Sequence, residues 1–545
     1  MIDIIPKIHD TFSLEFKVSY IPQNIKGNND FSIHSWYFIP NSLDLHKGNY
    51  GQAQFYRDVK SNIRLVVPNF KLNQLTDKDC IPFIKLKKAI DYFIDAPSAK
   101  TFKKFEYQTK MFALICKSAI RDEFKLISQD SPKFVDDYQR DLKIVIRNFR
   151  RLYQEEEGAV TDAFAAYQDL MTAETQSRHK LSRNGKTQKK DRRNMYPGAS
   201  LDGKTKGKRA ADDQEHANQN PLHLTDEYLS RMISIYTFRV VAFVDRLSET
   251  DYLNEGGMLS RHSLRNALIE ILDGEKLLAK KKGYLYVHQK DNHNNQRLVY
   301  RYSLLKKYVE STLYIKIDKK EDGFAISQVL FSLAAGLAMV FATVIAFTVK
   351  QKYGSVSMPL FVALVISYML KDRMKELMKF YFSGRLHRFF FDYKAKIHIS
   401  NDVVGWIRDG MMFVKDKQVP KKVMRMRNRT GLFRIENELF DEKIIAYKTK
   451  VFLDGKKLQH HSDYKRTGIH DIFRMHFNRF VQKMDDPELG LITLDDDQLI
   501  KQVQALKIYY IHIILLLEYN GEKEYRHLTV SLTRDGIQNV SVISE

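Results

Sequence analysis

Residues 325–349 read AISQVLFSLAAGLAMVFATVIAFTV, 25 residues without one ionisable side chain, and residues 355–370 read SVSMPLFVALVISYML, again uncharged. At 1.5 Å per residue the first run makes about 37 Å of helix, enough to cross a hydrocarbon core with some tilt. The second run is near the lower limit and gains length from Tyr353 and a snorkelling Lys371. Pro359 falls in the first turn of the second helix, where a missing N–H costs little, and Gly354 supplies the turn. Small residues recur at four-residue spacing: Ser332 with Gly336, Ala334 with Ala338, Ala338 with Ala342, and Ala363 with Ser367. That pattern lets two antiparallel helices approach closely in lipid. Two uncharged runs so close together rarely occur in a soluble core, so the expectation is a transmembrane hairpin, helix 1 over 325–349 and helix 2 over 353–370.

The flanking charges orient it. Lys306, Lys307, Lys316, Lys319 and Lys320 precede the first span, and Lys371, Arg373, Lys375, Lys379, Arg385 and Arg388 follow the second. The turn between carries only Lys350 and Lys352. The positive-inside rule then places both termini in the cytoplasm of a two-pass protein of the plasma (inner) membrane. The opening MIDIIPKIHDTF lacks the basic start and apolar run of an export signal. After the second span, residues 371–396 mix eight Lys/Arg and three acids with Phe380, Tyr381, Phe382, Phe389, Phe390, Phe391 and Tyr393. Such a mixture predicts a basic-aromatic interfacial helix whose Lys371, Arg373, Lys375, Lys379, Arg385 and Arg388 contact the anionic lipids of the inner leaflet. The alternative is a helix packing its aromatic face on a cytoplasmic domain.

A chain of 545 residues is too long for one core. Its formal charge of +22 implies a polyanion nearby, membrane surface or nucleic acid. Cys80 and Cys116 are the only cysteines, too few for a disulfide framework or a cysteine-rich zinc site. The first 75 residues read as a β-rich segment, with alternation in TFSLEFKVSY (11–20), a second strand in FSIHSWYFIP (31–40) and a helical region starting near Tyr56. Residues 76–177 read as a helical bundle or coiled-coil-like hairpin. Val135, Tyr138, Leu142, Val145, Phe149 and Leu152 alternate spacings of three and four, Phe105, Phe112 and Ala119 offer a facing seam, and Gly158 interrupts.

Residues 178–220 read as a basic disordered loop, with twelve Lys/Arg against Asp191 and Asp202 between Arg178 and Arg209. Within it Gly198–Thr205, GASLDGKT, matches the phosphate-loop pattern. A functional phosphate loop needs a buried strand before it and a helix after it, and neither flank can be buried, so the match is read as chance. Over 221–320 the expectation is helices near 225–247 and 260–280, then a β-hairpin of 283–288 with 297–304, a wing-like element.

The remaining 400–545 reads as a separate α/β cytoplasmic domain with strands at 442–454, 507–520 and 523–536. The middle strand is apolar on both faces and Asn520-Gly521 turns to the third, while Ile469 to Phe480 is expected as a helix on that sheet. His460, His461, Asp463, His470, Asp471 and His476 are metal-capable, yet on a helix they would not converge, and Asp495–Asp497 looks like a helix start. No catalytic, cofactor or metal site is therefore assigned.

The fold class expected is an α+β multidomain membrane protein. Its expected function is a non-enzymatic adaptor or regulator that assembles protein partners at the cytoplasmic membrane face, with homo-oligomers allowed. The rivals are a membrane-tethered enzyme acting on a phosphate-containing substrate, through the His460–His476 region or the basic loop, and a membrane-anchored nucleic-acid-binding protein.

Overall fold

The computed structural model describes residues 2–24, 27–130, 133–184, 220–246, 261–322, 324–353, 358–389, 391–399, 402–428, 442–460, 463–464, 468–484, 488–494 and 499–543. The Gly198–Thr205 string, Gly354, His461 and Asp495–Asp497 lie outside them, as does the basic stretch from 185 to 219. The chain folds as two compact units, one of 1–66 with 315–545 and one of 67–314.

The first unit is built on sheets. Strands β1 (Ile2–Asp10), β2 (Ser13–Tyr20), β3 (Asn28–Ile39) and β4 (Val59–Leu65) come from the N-terminal part, with the short helix α1 (Gln52–Asp58) before β4 where a longer helical region was expected. Strands β5 (Lys316–Glu321), β6 (Tyr393–Ile399), β7 (Asp402–Val414), β8 (Lys443–Asp454), β9 (Ile469–His476), β10 (Glu488–Leu494), β11 (Ile500–Leu506), β12 (Tyr509–Tyr519), β13 (Glu522–Thr533) and β14 (Gly536–Ile543) follow 315. One sheet has the order β1-β2-β9-β4, a larger one β14-β13-β12-β3-β8-β7-β6-β5, and β10 pairs β11 alone.

The expected separate domain over 400–545 is thus corrected. Strand β3 lies between β12 and β8, so the N-terminal strands complete the C-terminal sheet. The reason is in β12 itself: apolar on both faces, it needs a neighbour on each edge, and β13 supplies only one. Every pairing is antiparallel, which makes the unit part of an α+β fold, not an α/β one. Phe31, Ile33 and Tyr37 of β3 face the core between the sheets, while Trp36 and Phe38 face a second cluster with Val423. Asn520 and Gly521, with φ of 53° and 87°, make the two-residue turn into β13.

Residues 469–476 are strand β9 and not the expected helix. Ile469, Asp471, Phe473 and Met475 are buried and the residues between them are more exposed, a period of two that the longer helical pattern masked. β9 pairs with β2 on one side and β4 on the other.

The second unit is helical: α2 (Ile81–Asp95), α3 (Ala99–Asp130), α4 (Lys133–Asn184), α5 (Pro221–Val244), α6 (Arg261–Lys282) and α7 (Asn292–Glu310). The expected seam is real and internal. Val135, Tyr138, Leu142, Val145, Phe149 and Leu152 are all buried, and Phe112 stacks on Phe149 at 5.3 Å between centroids. Since α3 also packs on α2 and α5, the seam belongs to a bundle and not to a coiled coil. Helix α4 runs unbroken through Gly158 and on through 178–184, so neither the interruption nor the start of the basic loop at 178 holds.

The β-hairpin expected at 283–304 is also corrected. Residues 292–310 form α7, started by Asp291, whose carboxylate accepts the Asn294 N–H at 2.9 Å. Leu298, Leu305 and Val309 bury one helical face while Val299 and Tyr300 are exposed, so the helical spacing overrides the alternating reading of RLVYRYSL.

Candidate membrane-anchoring site

Between β5 and β6 the chain leaves the larger sheet as two long helices packed on each other, α8 (Phe324–Tyr353) and α9 (Met358–Phe389). Their contact is made by small residues. Ala334, Ala338 and Ser367 are buried, and the Ser367 hydroxyl donates across the pair to the Ala342 carbonyl at 3.0 Å. Of the expected small-residue pairs, Ala334 with Ala338 therefore lies at the interface. Gly336 does not: a Cβ there would meet nothing within 4 Å, and Ser332 turns back to its own helix at Gln328 O.

The large side chains point the other way. Val329, Val340, Phe347, Met358, Phe361 and Met369 are all exposed, Phe347 by 67% and Met358 by 77%. Thr343 and Thr348 donate to carbonyls one turn back, which leaves their hydroxyls satisfied without water. Among the described residues one helix is long and apolar enough to cross a membrane by length and composition, over Phe331–Lys352 with a mean hydropathy of 2.1. The second expected span, 353–370, includes residues 354–357, which lie outside the described ones.

The six cations expected at headgroups, Lys371, Arg373, Lys375, Lys379, Arg385 and Arg388, all fall on α9. They do not form a separate interfacial helix, because α9 is continuous from Met358 to Phe389 and residues 393–399 are strand β6. KDRMKELMKF is rich in good helix formers with nothing to end the helix. Lys371 lies over the Tyr368 ring at 4.1 Å, and Arg373 faces Glu376 at 3.4 Å on the exposed surface.

The hairpin's two feet are tied together. Lys316 to Glu321 pair in register with His398 to Tyr393, and the Asp322 N–H donates to Asp392 O at 3.1 Å. The Asp392 carboxylate accepts from the Met411 N–H (2.7 Å), the Tyr56 hydroxyl (2.8 Å) and the Gln52 amide (3.0 Å). Lys319 lies over the Tyr393 and Tyr56 rings at 4.2 and 5.0 Å. Burial pushes Asp409 up to about 6, opposed by Lys319, and burial with the Asp392 charge pushes Tyr56 upward. These anchors come from positions 52, 56, 319, 392 and 409, and no local string marked them; only the strand pairing brings them together.

The metal-capable residues separate. On β9 Asp471 turns inward, accepts the Ser61 hydroxyl at 2.6 Å and is pushed up to about 7 by burial. Its neighbour His470 faces the other side, 3.0 Å from the Ser19 hydroxyl, and His476 pairs with Ser13 at 2.8 Å. Adjacent residues of a strand point to opposite faces, so His470 and Asp471 cannot share an ion. Among the described residues no group of three or more His, Cys, Asp or Glu is placed to hold a metal.

A further exposed apolar element escaped the sequence reading. Strands β10 and β11 form a two-stranded ribbon in register from Glu488–Leu506 to Leu494–Ile500, with Leu489, Ile492, Leu494, Ile500 and Val503 exposed, Ile492 and Ile500 by 77% and 79%. Its signal was present in LGLITL, an apolar run. No protein-family model matches the chain, and the comparisons with curated proteins and with solved structures gave no match.

Proposed function

We propose that the protein is a two-pass integral membrane protein of the plasma (inner) membrane, with both termini cytoplasmic, that serves as a non-enzymatic adaptor or regulator assembling protein partners there. The observation that carries the membrane part is the inverted packing of α8 and α9: small side chains between the helices and large apolar ones outside. In water that arrangement would expose far more contiguous apolar surface than a soluble protein leaves uncovered, whereas lipid removes the cost. Support for a common side comes from the β5–β6 pairing, which returns both ends of the hairpin to one sheet. Lys371, Arg373 and Lys375 then lie where the second helix leaves the hydrocarbon, within reach of anionic headgroups. The adaptor part rests on the exposed β10–β11 ribbon, whose apolar side chains and open edges suit a protein partner.

The test adds one cysteine at a time to a Cys80→Ala background, in which the remaining Cys116 is buried. Gln351→Cys should be labelled on intact cells by a membrane-impermeant maleimide, and Lys320→Cys only after permeabilisation. Labelling of both on one side, or extraction of the chain by alkaline carbonate, would sink the membrane reading. Ile492→Ser with Ile500→Ser should keep the chain in the membrane and remove co-purifying proteins; an unchanged set of partners would count against the adaptor role.

A further inference from the structure

The helical unit contains a cleft of about 720 Å³ between α5, α6, α7 and the segment 283–291. Its floor is α5, where Glu227, Ser230, Arg231 and Ser234 recur at helical spacing on one face. Its walls are apolar, with Ile269 and Leu272 of α6, Leu285, and Leu298 and Leu305 of α7. Lys276, Lys280 and Lys290 stand exposed at its rim.

Five Lys/Arg and three Asp/Glu line this cleft, and two of the acids are already committed. Glu227 is held by Arg301, with Nη2 at 2.7 Å and Nε at 3.1 Å. Glu275 accepts the Ser230 hydroxyl at 2.6 Å and pairs with Arg150, which lies outside the lining. The third acid, Asp273, is exposed. Arg231 is the exception. Its Nε is buried with no hydrogen-bond partner among the described residues, and burial holds its guanidinium below the usual range. A desolvated guanidinium is costly unless something negative completes it, and two of the three carboxylates lining the cleft are spoken for.

We infer that this cleft binds a phosphomonoester with an apolar body, its phosphoryl oxygens on the Arg231 fork and the rim lysines and its body against the leucine walls. A volume of this size suits a small organic molecule, not a bare ion. The surplus of cations favours a dianion over a carboxylate, and a guanidinium matches phosphoryl oxygens two at a time. The free molecule and a lipid headgroup share this chemistry, and the probes below separate them.

The experiment is calorimetric titration of the full chain in detergent with phenyl phosphate, inorganic phosphate, phenol and dihexanoyl phosphatidic acid. Phenyl phosphate is expected to bind saturably, inorganic phosphate more weakly and phenol not at all. Tighter binding of phosphatidic acid than of phenyl phosphate would identify a lipid source, and the reverse a soluble one. Arg231→Met should weaken binding by about ten- to a hundredfold, the range for losing a charged hydrogen bond. Without ligand its melting temperature should be unchanged or higher, because the substitution removes a partly buried charge whose Nε makes no hydrogen bond among the described residues. Arg231→Lys should fall between. Absence of saturable binding by either phosphomonoester, or equal binding by Arg231→Met, would overturn the inference, as would a fall in the ligand-free melting temperature of Arg231→Met.

Discussion

Two pairs of long helices in this chain are packed on opposite principles. In α3 and α4 the large side chains meet: Phe112 stacks on Phe149 and lies edge-on to Phe83 at 4.8 Å, Phe102 stacks on Tyr167 at 4.5 Å, and charges such as Arg151 and Glu155 face outward. In α8 and α9 the small side chains meet and the large ones face out. Water drives the first arrangement, because burying an aromatic ring removes apolar surface from it. On the reading proposed above, lipid surrounds the second pair, and lipid cannot drive packing that way, since its tails are as apolar as leucine; close backbone approach is what remains.

The sharpest way to break this comparison is to remove a ring. Phe112 is fully buried among aromatic neighbours that are themselves fixed in helices, so the site has little room to collapse. Phe112→Ala should destabilise the helical unit by about 3–5 kcal/mol, measured by guanidinium unfolding of the detergent-solubilised chain. A loss below about 1 kcal/mol would mean that the seam is not the core of that unit.

The sheet unit supplies a contrasting interior, apolar but holding an ionisable group. Asp471 is raised to about 7, first by burial and against the bond from Ser61, with the Asp409 charge adding to it. A carboxyl raised from its ordinary value near 3.8 favours the folded state when protonated, so its stabilising contribution is complete below about pH 4 and is lost as pH rises toward 7. Asp471→Asn cannot ionise and should be more stable than the parent at pH 8 by about 2–4 kcal/mol, while differing little at pH 4. Thermal unfolding across this range checks it. An unchanged pH profile would show that Asp471 does not titrate where its burial places it.

The same contrast explains how much of the fold was legible. Strands β2, β3, β8, β12 and β13 were readable because each carries its own alternation or a turn such as Asn520-Gly521. The seam of α4 was readable because its spacing is local. What failed was what depends on distant partners. β9 reads as a helix until β2 and β4 are placed on its two edges, and α7 reads as a hairpin until Leu298 and Leu305 find their neighbours. Of the expected lipid contacts, all six cations do follow the apolar run, but the break that would lay them flat is missing, since the helix runs on through Gly384 to Phe389. The Arg231 cleft could not be read at all, because its meaning lies in which carboxylates are taken by Arg150 and Arg301.

The smallest expected effect tests the helical hairpin from inside. Ser367 is buried and its hydroxyl reaches the Ala342 carbonyl on the partner helix, a carbonyl that also accepts within its own helix. Removing the hydroxyl therefore strands no backbone group, and interhelical bonds of this kind in membranes contribute about 0.6 kcal/mol on average. Ser367→Ala should accordingly shift the unfolding of the hairpin in mixed micelles by about that amount, while Ser367→Leu, which forces the helices apart where Ala334 and Ala338 let them touch, should cost about 1–3 kcal/mol. The order of the two variants is the discriminating result. If truncation cost more than enlargement, the pair would be held by a polar bond and not by close approach, and the contrast with the aromatic seam of α3 and α4 would be wrong in kind.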